Sequence, residues 1–376
     1  MKVGIMSMQR VINNGSFLQS YSLMKNIEKL GHKVLFVDYE VGEALIKNQA
    51  AEKTQKGAGL IKRIQDNLIA PKKKKWKVLE KELNQYYKME EEYKNKMFPL
   101  LGMTGEVVYR PMLDVLVLGS DEVFNCLQPN EAVGYSKQLF GAENRAKKVL
   151  SYAASFGNTT KEGLEQFGID KEIAGLLKEM SAVSVRDKNS VSIVKKIAQI
   201  EPFYHVDPVF LYDYEEEMPK EVPLKNYIVV YAYGNRISKK EAREIIKFAK
   251  KKGKKIITLC GVQDYLGEFV PATPFQVLAY VKHADYVITD TFHGSVFSIK
   301  FNKSFATLVR QGTGMKYGNS NKLEDLLERF GLHNRILSNI KELASLLETP
   351  IAYEAVNEKI REERNQSIAF LEEQLH

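Results

Sequence analysis

The sequence predicts an α/β protein built as two Rossmann-like, doubly wound halves facing a cleft, with a helical insertion in the first half and a closing C-terminal helix. Three observations carry this. Short, almost wholly apolar runs such as Leu113-Asp114-Val115-Leu116-Val117-Leu118 and Tyr227-Ile228-Val229-Val230-Tyr231-Ala232 recur along the chain, as parallel strands covered on both faces do. Segments with apolar residues at spacings of three and four alternate with them, which is the βαβ rhythm. That rhythm lapses at 43–110 and again at 199–226, so the chain divides into a first half (1–198, carrying the insertion 43–110), a linker (199–226), a second half (227–349) and a final helix (350–376).

Each element has its own warrant. Val3, Ile5 and Met6 form a strand that ends at Asn13-Asn14-Gly15-Ser16, and Phe17, Tyr21, Met24, Ile27 and Leu30 then line one helical face. Gly31 stops that helix, and residues 33–38 read as the next strand. Within the insertion, Leu60, Ile64 and Leu68 share one helical face and Trp76, Leu79, Leu83 and Tyr86 another, giving a helical pair over a cleft edge or sheet face. Strands are expected at 113–119, 148–155 and 181–186, with helices at 161–180 and 187–197. Pro202, Pro208, Pro219 and Pro223 loosen the pattern in the linker. The second half reads strand 227–232, helix 238–252, strand 255–259, helix 274–283, strand 286–289, a helix beginning near His293, and strand 304–309. A helix from about 353 to 375 ends the chain.

Composition narrows the function. With 376 residues, 44% hydrophobic and 27% charged, the chain can bury a large core and is not a disordered polymer. Two cysteines, Cys126 and Cys260, support neither a disulfide framework nor a Cys-rich zinc site. No two histidines stand at metal-ligand spacing, and no metal is expected. No run reaches the ~18 apolar residues of a membrane span, and the start resembles a strand more than a secretion signal, so the expected location is cytoplasmic. The net charge is +8, and residues 47–98 hold 14 Lys/Arg against 7 Asp/Glu, including Lys72-Lys73-Lys74-Lys75. This excess reads as a local solvated surface, or a peripheral contact with anionic membrane at the inner face, rather than a nucleic-acid groove.

Ligands of open α/β sheets sit beyond the carboxyl ends of the strands, so the loops after strands carry the candidates. The most informative is Thr289-Asp290-Thr291-Phe292-His293-Gly294-Ser295, where a strand runs into a helix start. Helix-initial N–H groups and the helix dipole attract an anion, Gly294 allows close approach, Ser295 adds a hydroxyl, and His293 can contact a phosphate or exchange a proton. Arg186 stands at a strand exit, where its fork suits a phosphate or carboxylate, unless it only pairs with Asp187. In Gly119-Ser120-Asp121-Glu122, Asp121 is the first choice for an acceptor-side base and Asp290 the second, with Ser120, Asn14 and Gly15 expected to line the substrate. His205 is a weak candidate. Neither a G-x-G-x-x-G dinucleotide loop nor a Walker A sequence is present.

Taken in order, Asn14-Gly15-Ser16-Phe17-Leu18-Gln19-Ser20-Tyr21, Val117-Leu118-Gly119-Ser120-Asp121-Glu122-Val123-Phe124-Asn125, Ser151-Tyr152-Ala153-Ala154-Ser155-Phe156-Gly157, Val185-Arg186-Asp187, Val206-Asp207-Pro208 and the stretch 289–298 resemble the polysaccharide pyruvyl transferase family. The resemblance implies a GT-B-like architecture. It also implies transfer of the pyruvyl group of phosphoenolpyruvate, with no further cofactor, to two hydroxyls of a sugar or carrier-linked oligosaccharide in bacterial capsule or exopolysaccharide synthesis. It further implies roles for Arg186 and His293 in binding phosphoenolpyruvate, and makes Lys322 an additional anion contact. Glu122 stands where many relatives have Gln. The competing expectation is a nucleotide-sugar glycosyltransferase of the same architecture.

Overall fold

The computed structural model describes residues 1–46, 71–310 and 320–376. The chain forms two parallel sheets. The first half runs β1 (Lys2–Met6), α1 (Asn14–Lys29), β2 (Lys33–Phe36), α2 (Trp76–Lys96), β3 (Leu113–Asp121), β4 (Ala146–Ala154), α3 (Lys161–Gln166), α4 (Asp170–Glu179), β5 (Ser184–Val185), α5 (Lys188–Ala198) and β6 (Phe203–Tyr204). The second runs β7 (Tyr227–Ala232), α6 (Lys239–Lys252), β8 (Lys255–Cys260), β9 (Glu268–Phe269), α7 (Pro274–His283), β10 (Tyr286–Thr289), α8 (Phe292–Lys300), β11 (Ser304–Thr307), α9 (Ser320–Arg329) and α10 (Leu343–Glu348), and α11 (Tyr353–Gln374) follows. The sheet orders are β2-β1-β3-β4-β5-β6 and β11-β10-β7-β8-β9. The α/β class and its two-halved plan are as the sequence predicts.

Both orders reverse direction at one place, between β1 and β3 in the first sheet and between β7 and β10 in the second. At such a point the flanking connections leave on opposite faces and open a crevice. The residues that follow β1, β3, β7 and β10 are therefore the ones brought to the cleft.

Two regions differ from the sequence reading, and part of a third lies outside the described residues. The span 161–180 breaks at Phe167 and Gly168, where φ is +67°, into α3 and α4. The expected linker is not a loose tether. It supplies β6, the sixth strand of the first sheet, and buries Val206, Val209, Phe210, Leu211 and Tyr214. Its prolines and acidic residues hide that apolar spacing in the sequence. In the insertion, the expected helix around Leu60 and Leu68 lies outside the described residues. Its neighbour α2 reaches across to the second half, where Leu79 packs with Val262 and Phe269 and the Phe269 N–H donates to Glu82. At the other end of α2 the Tyr93 hydroxyl donates to the Asn13 carbonyl (2.9 Å).

The halves share one apolar core. Phe17 and Tyr21 of α1 meet Phe275 of α7 edge-to-face at 5.6 and 5.2 Å between centroids. Helix α11 returns to the first half, where Phe370 lies against Tyr152, Phe203 and His205, and its Glu363 pairs with Arg329 of α9 in the second half. Among the described residues no helix is long and apolar enough to cross a membrane.

Candidate active site

A cleft of ≈ 460 Å³ opens where the two reversal points face each other, lined by Asn13, Ser16, Asp121, Glu122 and Arg186 from the first half and by Tyr231, Tyr233, Arg236, Asp290, Phe292, His293 and Lys322 from the second. Each arrives for a local reason. Asn13 caps α1, its side chain accepting from the Gly15 and Ser16 N–H groups, as asparagine does at helix starts. Asp121 ends β3 with φ at +71°. Arg186 follows β5, and Asp187 beside it caps α5. Thr291 caps α8, and the helix opens at Phe292 and His293.

At the floor, one guanidinium meets two carboxylates. The Arg186 Nη1–H donates to Asp207 Oδ2 (2.7 Å) and the Nη2–H to Asp121 Oδ1 (2.9 Å), while the guanidinium lies over the Phe292 ring at 4.4 Å. The Ser16 hydroxyl donates to Asp121 Oδ2 (2.6 Å). His293 brings Nε2 to 3.5 Å from the same Asp207 oxygen. Imidazole and guanidinium, from opposite halves, thus converge on Asp207. Burial disfavours the charge on Asp121, but Arg186, His293 and the Ser16 hydroxyl outweigh it, so its carboxyl sits below the ordinary range. Asp207 is likewise buried, and His293 and Arg186 hold it below the ordinary range. Both are carboxylates at neutral pH.

Gly15 explains how the imidazole fits. A methyl group there would overlap Nδ1, Cγ and Cε1 of His293, so the bare backbone of α1 forms the wall against which the ring rests. Gly15 therefore works on His293. The other expected residues fall into place as follows. The Gly294 N–H donates to the capping Thr291 hydroxyl (3.0 Å), and the fully buried Ser295 bonds Thr307 (2.9 Å). The Ser120 hydroxyl donates to the Ala153 carbonyl (2.7 Å) inside the sheet, and Asn14 is buried beside the cleft. None of these four side chains or glycines is among the lining residues, although all sit directly behind them. Asp187 accepts from Ser155 and Ser190, so the alternative that Arg186 merely pairs with it does not hold. His205 bonds Ser184 (2.8 Å) and stacks on Tyr152, away from the cleft, with burial pushing its pKa down to about 4.

Above the floor, Lys322 pairs with Glu122 across the halves. Glu122 is held below the ordinary carboxyl range despite burial, chiefly by Lys322. At the second reversal point Asp290 is fully buried and faces Arg236 Nε at 3.1 Å and Arg310 Nε at 3.2 Å. Burial prevails over both cations there, and its carboxyl is raised. Among the described residues no group of three or more His, Cys, Asp or Glu is placed to hold a metal ion.

The cleft thus combines a histidine and an arginine from opposite halves with ordered carboxylates. A model of the family described as polysaccharide pyruvyl transferase matches residues 13–311. The chain belongs to that family. No curated protein matches the sequence. Solved structures similar to this one include a glycotransferase of kitacinnamycin (11% identity, 99% of this chain and 98% of that chain, TM-score 0.48). Others are the UDP-GlcNAc 2-epimerase of Methanocaldococcus jannaschii (11% identity, 94% and 93%, TM-score 0.45) and MurG of Acinetobacter baumannii (13% identity, 99% and 98%, TM-score 0.40). For this pyruvyl transferase family member, the sequence reading overlooked Asp207, Ser16 and Arg236. Asp207 and Ser16 lay inside the stretches that carry the resemblance, and only tertiary contact gives them their partners. Arg236, four residues beyond an apolar strand, carried no motif at all.

Proposed function

We propose that this protein transfers the pyruvyl group of phosphoenolpyruvate to two hydroxyls of one sugar unit of a polysaccharide precursor, closing a cyclic ketal and releasing phosphate. The observation that carries the reading is the meeting of His293 and Arg186, from opposite halves, on Asp207 in a single cleft, within a chain of this family. The overall change balances without redox chemistry. The two sugar oxygens form bonds to C2 of phosphoenolpyruvate and the C2–O bond to phosphate breaks. One hydroxyl proton ends on the methylene carbon, making a methyl group, and the other leaves with phosphate.

The residues divide that work. Asp207 Oδ2 lies 3.5 Å from Nε2 of the imidazole that rests on the Gly15 wall, and a ring so placed suits His293 to contact the phosphate or to deliver a proton. Asp121, which lines the cleft, is the carboxylate assigned to the acceptor hydroxyl. Its lowered pKa and its bonds from Arg186 and Ser16 favour a role in orienting that hydroxyl over strong proton abstraction. Arg186 organises the floor by bridging both carboxylates.

Phosphate release from phosphoenolpyruvate, followed over a panel of carrier-linked oligosaccharides, tests the reading. Arg186→Ala and His293→Ala are expected to abolish release while the fold persists, and wild-type turnover by His293→Ala overturns the assignment of that residue. Thermal stabilisation by uridine or guanosine diphosphate, but not by phosphoenolpyruvate, would instead favour a glycosyltransferase.

A further inference from the structure

The cations of the cleft are unequally occupied. Both terminal nitrogens of Arg186 are spent on Asp121 and Asp207. Arg310 gives Nη1 to Glu241 (2.6 Å), Nη2 to the Arg236 carbonyl (3.0 Å) and Nε to Asp290. Lys322 is engaged by Glu122. Arg236 differs. Its Nε is held by Asp290 at 3.1 Å and its guanidinium rests 5.4 Å from the centre of the Tyr233 ring. Among the described residues its two terminal nitrogens meet no acceptor. The side chain remains 28% accessible and lines the cleft.

We infer that Arg236 is the docking cation for the phosphoryl group of the donor, with Asp290 as its positioning residue. Three physical points support this. A guanidinium fixed at Nε presents Nη1 and Nη2 as a parallel pair of donors, the geometry that grips a tetrahedral oxyanion at two oxygens. Arg236 follows β7 and Asp290 follows β10, the two strands at the reversal point of the second sheet, where ligands of such sheets lie. Glu241 engages Arg310, so Asp290 and Arg236 form a close pair whose terminal nitrogens stay open at the cleft, whereas both terminal nitrogens of Arg186 are taken by carboxylates. An anionic donor finds open N–H groups at the first and none at the second. The assignment builds on the pyruvyl-transfer reading, and its test separates the two.

Isothermal titration of the full chain with inorganic phosphate, and separately with pyruvate as a carboxylate-only probe, tests the subsite. Wild type is expected to bind phosphate more tightly than pyruvate. Arg236→Gln is expected to weaken phosphate about tenfold or more and to raise KM for phosphoenolpyruvate more than it lowers kcat, as loss of a charged hydrogen-bond pair does. Arg236→Lys, which keeps the charge without the fork, should fall between the two and covers the case in which the glutamine variant folds poorly. Undiminished phosphate affinity in both variants, or tighter binding of pyruvate than of phosphate by wild type, overturns the assignment. Phosphate binding that depends on Arg236, in a protein that never releases phosphate from phosphoenolpyruvate, leaves the subsite standing and sinks the pyruvyl-transfer reading instead.

Discussion

Gly15→Ala sets two calculable effects against each other. At the start of α1 an alanine is the better helix former, by up to about 1 kcal/mol over glycine. The added methyl falls on the imidazole of His293, however, and that ring is hemmed in by Phe292, Phe297 and Asp207. Forcing a methylene into a packed site costs roughly 1–3 kcal/mol, so the net destabilisation should be about 2 kcal/mol or less and the variant should fold. Its chemistry should suffer far more, because the ring must swing from its place on Asp207, and a 1 Å misplacement of a reacting group costs on the order of 100-fold. Phosphate release and thermal melting on the same preparation check this. The control is Gly175→Ala, in the exposed middle of α4 with nothing near its Cβ, which should be stabilising by about 0.5–1 kcal/mol with unchanged turnover. Near wild-type turnover by Gly15→Ala would mean that the α1 wall does not position His293, and the proposed division of labour would fail.

Three further outcomes are expected. Asp207→Asn should lower stability by roughly 2–4 kcal/mol, since it strips one partner from a buried ion cluster in which Asp121 still balances Arg186. The carboxyls of Asp121 and Asp207 are held low, so their contribution is present above the unfolded value near pH ~4 and is lost as pH falls through the folded values; urea unfolding from pH 6 to 3 should show a shallower acid decline in the variant. Lys300 is buried, its amine pushed down to about 8 by desolvation, so the fold disfavours its charge, and stability should rise between pH 8 and about 10.4 as the folded state sheds that proton first. Lys300→Met should flatten that rise and add roughly 1–2 kcal/mol at pH 7, net of the lost bond to the Tyr212 carbonyl. For the Glu122–Lys322 pair across the halves, a double-mutant cycle with Glu122→Gln and Lys322→Met should give a coupling of roughly 1–3 kcal/mol in denaturant unfolding, and additive effects would show that the pair does not help hold the cleft closed.

The pairing of halves matters for this chemistry. Asn13 caps α1 and also donates from Nδ2 to the Tyr233 hydroxyl at 2.8 Å, Tyr93 of the insertion bonds the Asn13 carbonyl, and the aromatic contact of Phe17 with Phe275 fixes α1 on the second half. The wall that orients His293 is thus built from the opposite half. A change in the relative placement of the halves would alter the imidazole before it altered either sheet.

The chain's local pattern determined the strands and most helices, because burial on both faces of a parallel sheet demands unbroken apolar runs, and these are visible one residue after another. It also marked the strand-end loops that hold Arg186, Asp121 and His293, since motif and position coincide there. Tertiary structure alone decided the rest. Asp207 became the shared partner of Arg186 and His293, Gly15 a wall for an imidazole 278 positions away in number, and Arg236 a cation with its fork left open, because each property depends on which groups from the other half come within bonding distance. The stretch 199–226 joined the core for the same reason: its apolar residues acquire a period only once its prolines have turned the chain back onto α1 and β5. Hydrogen bonds and ion pairs act over a few ångströms of space, and spacing along the chain records them only where the backbone keeps neighbours in sequence as neighbours in the fold.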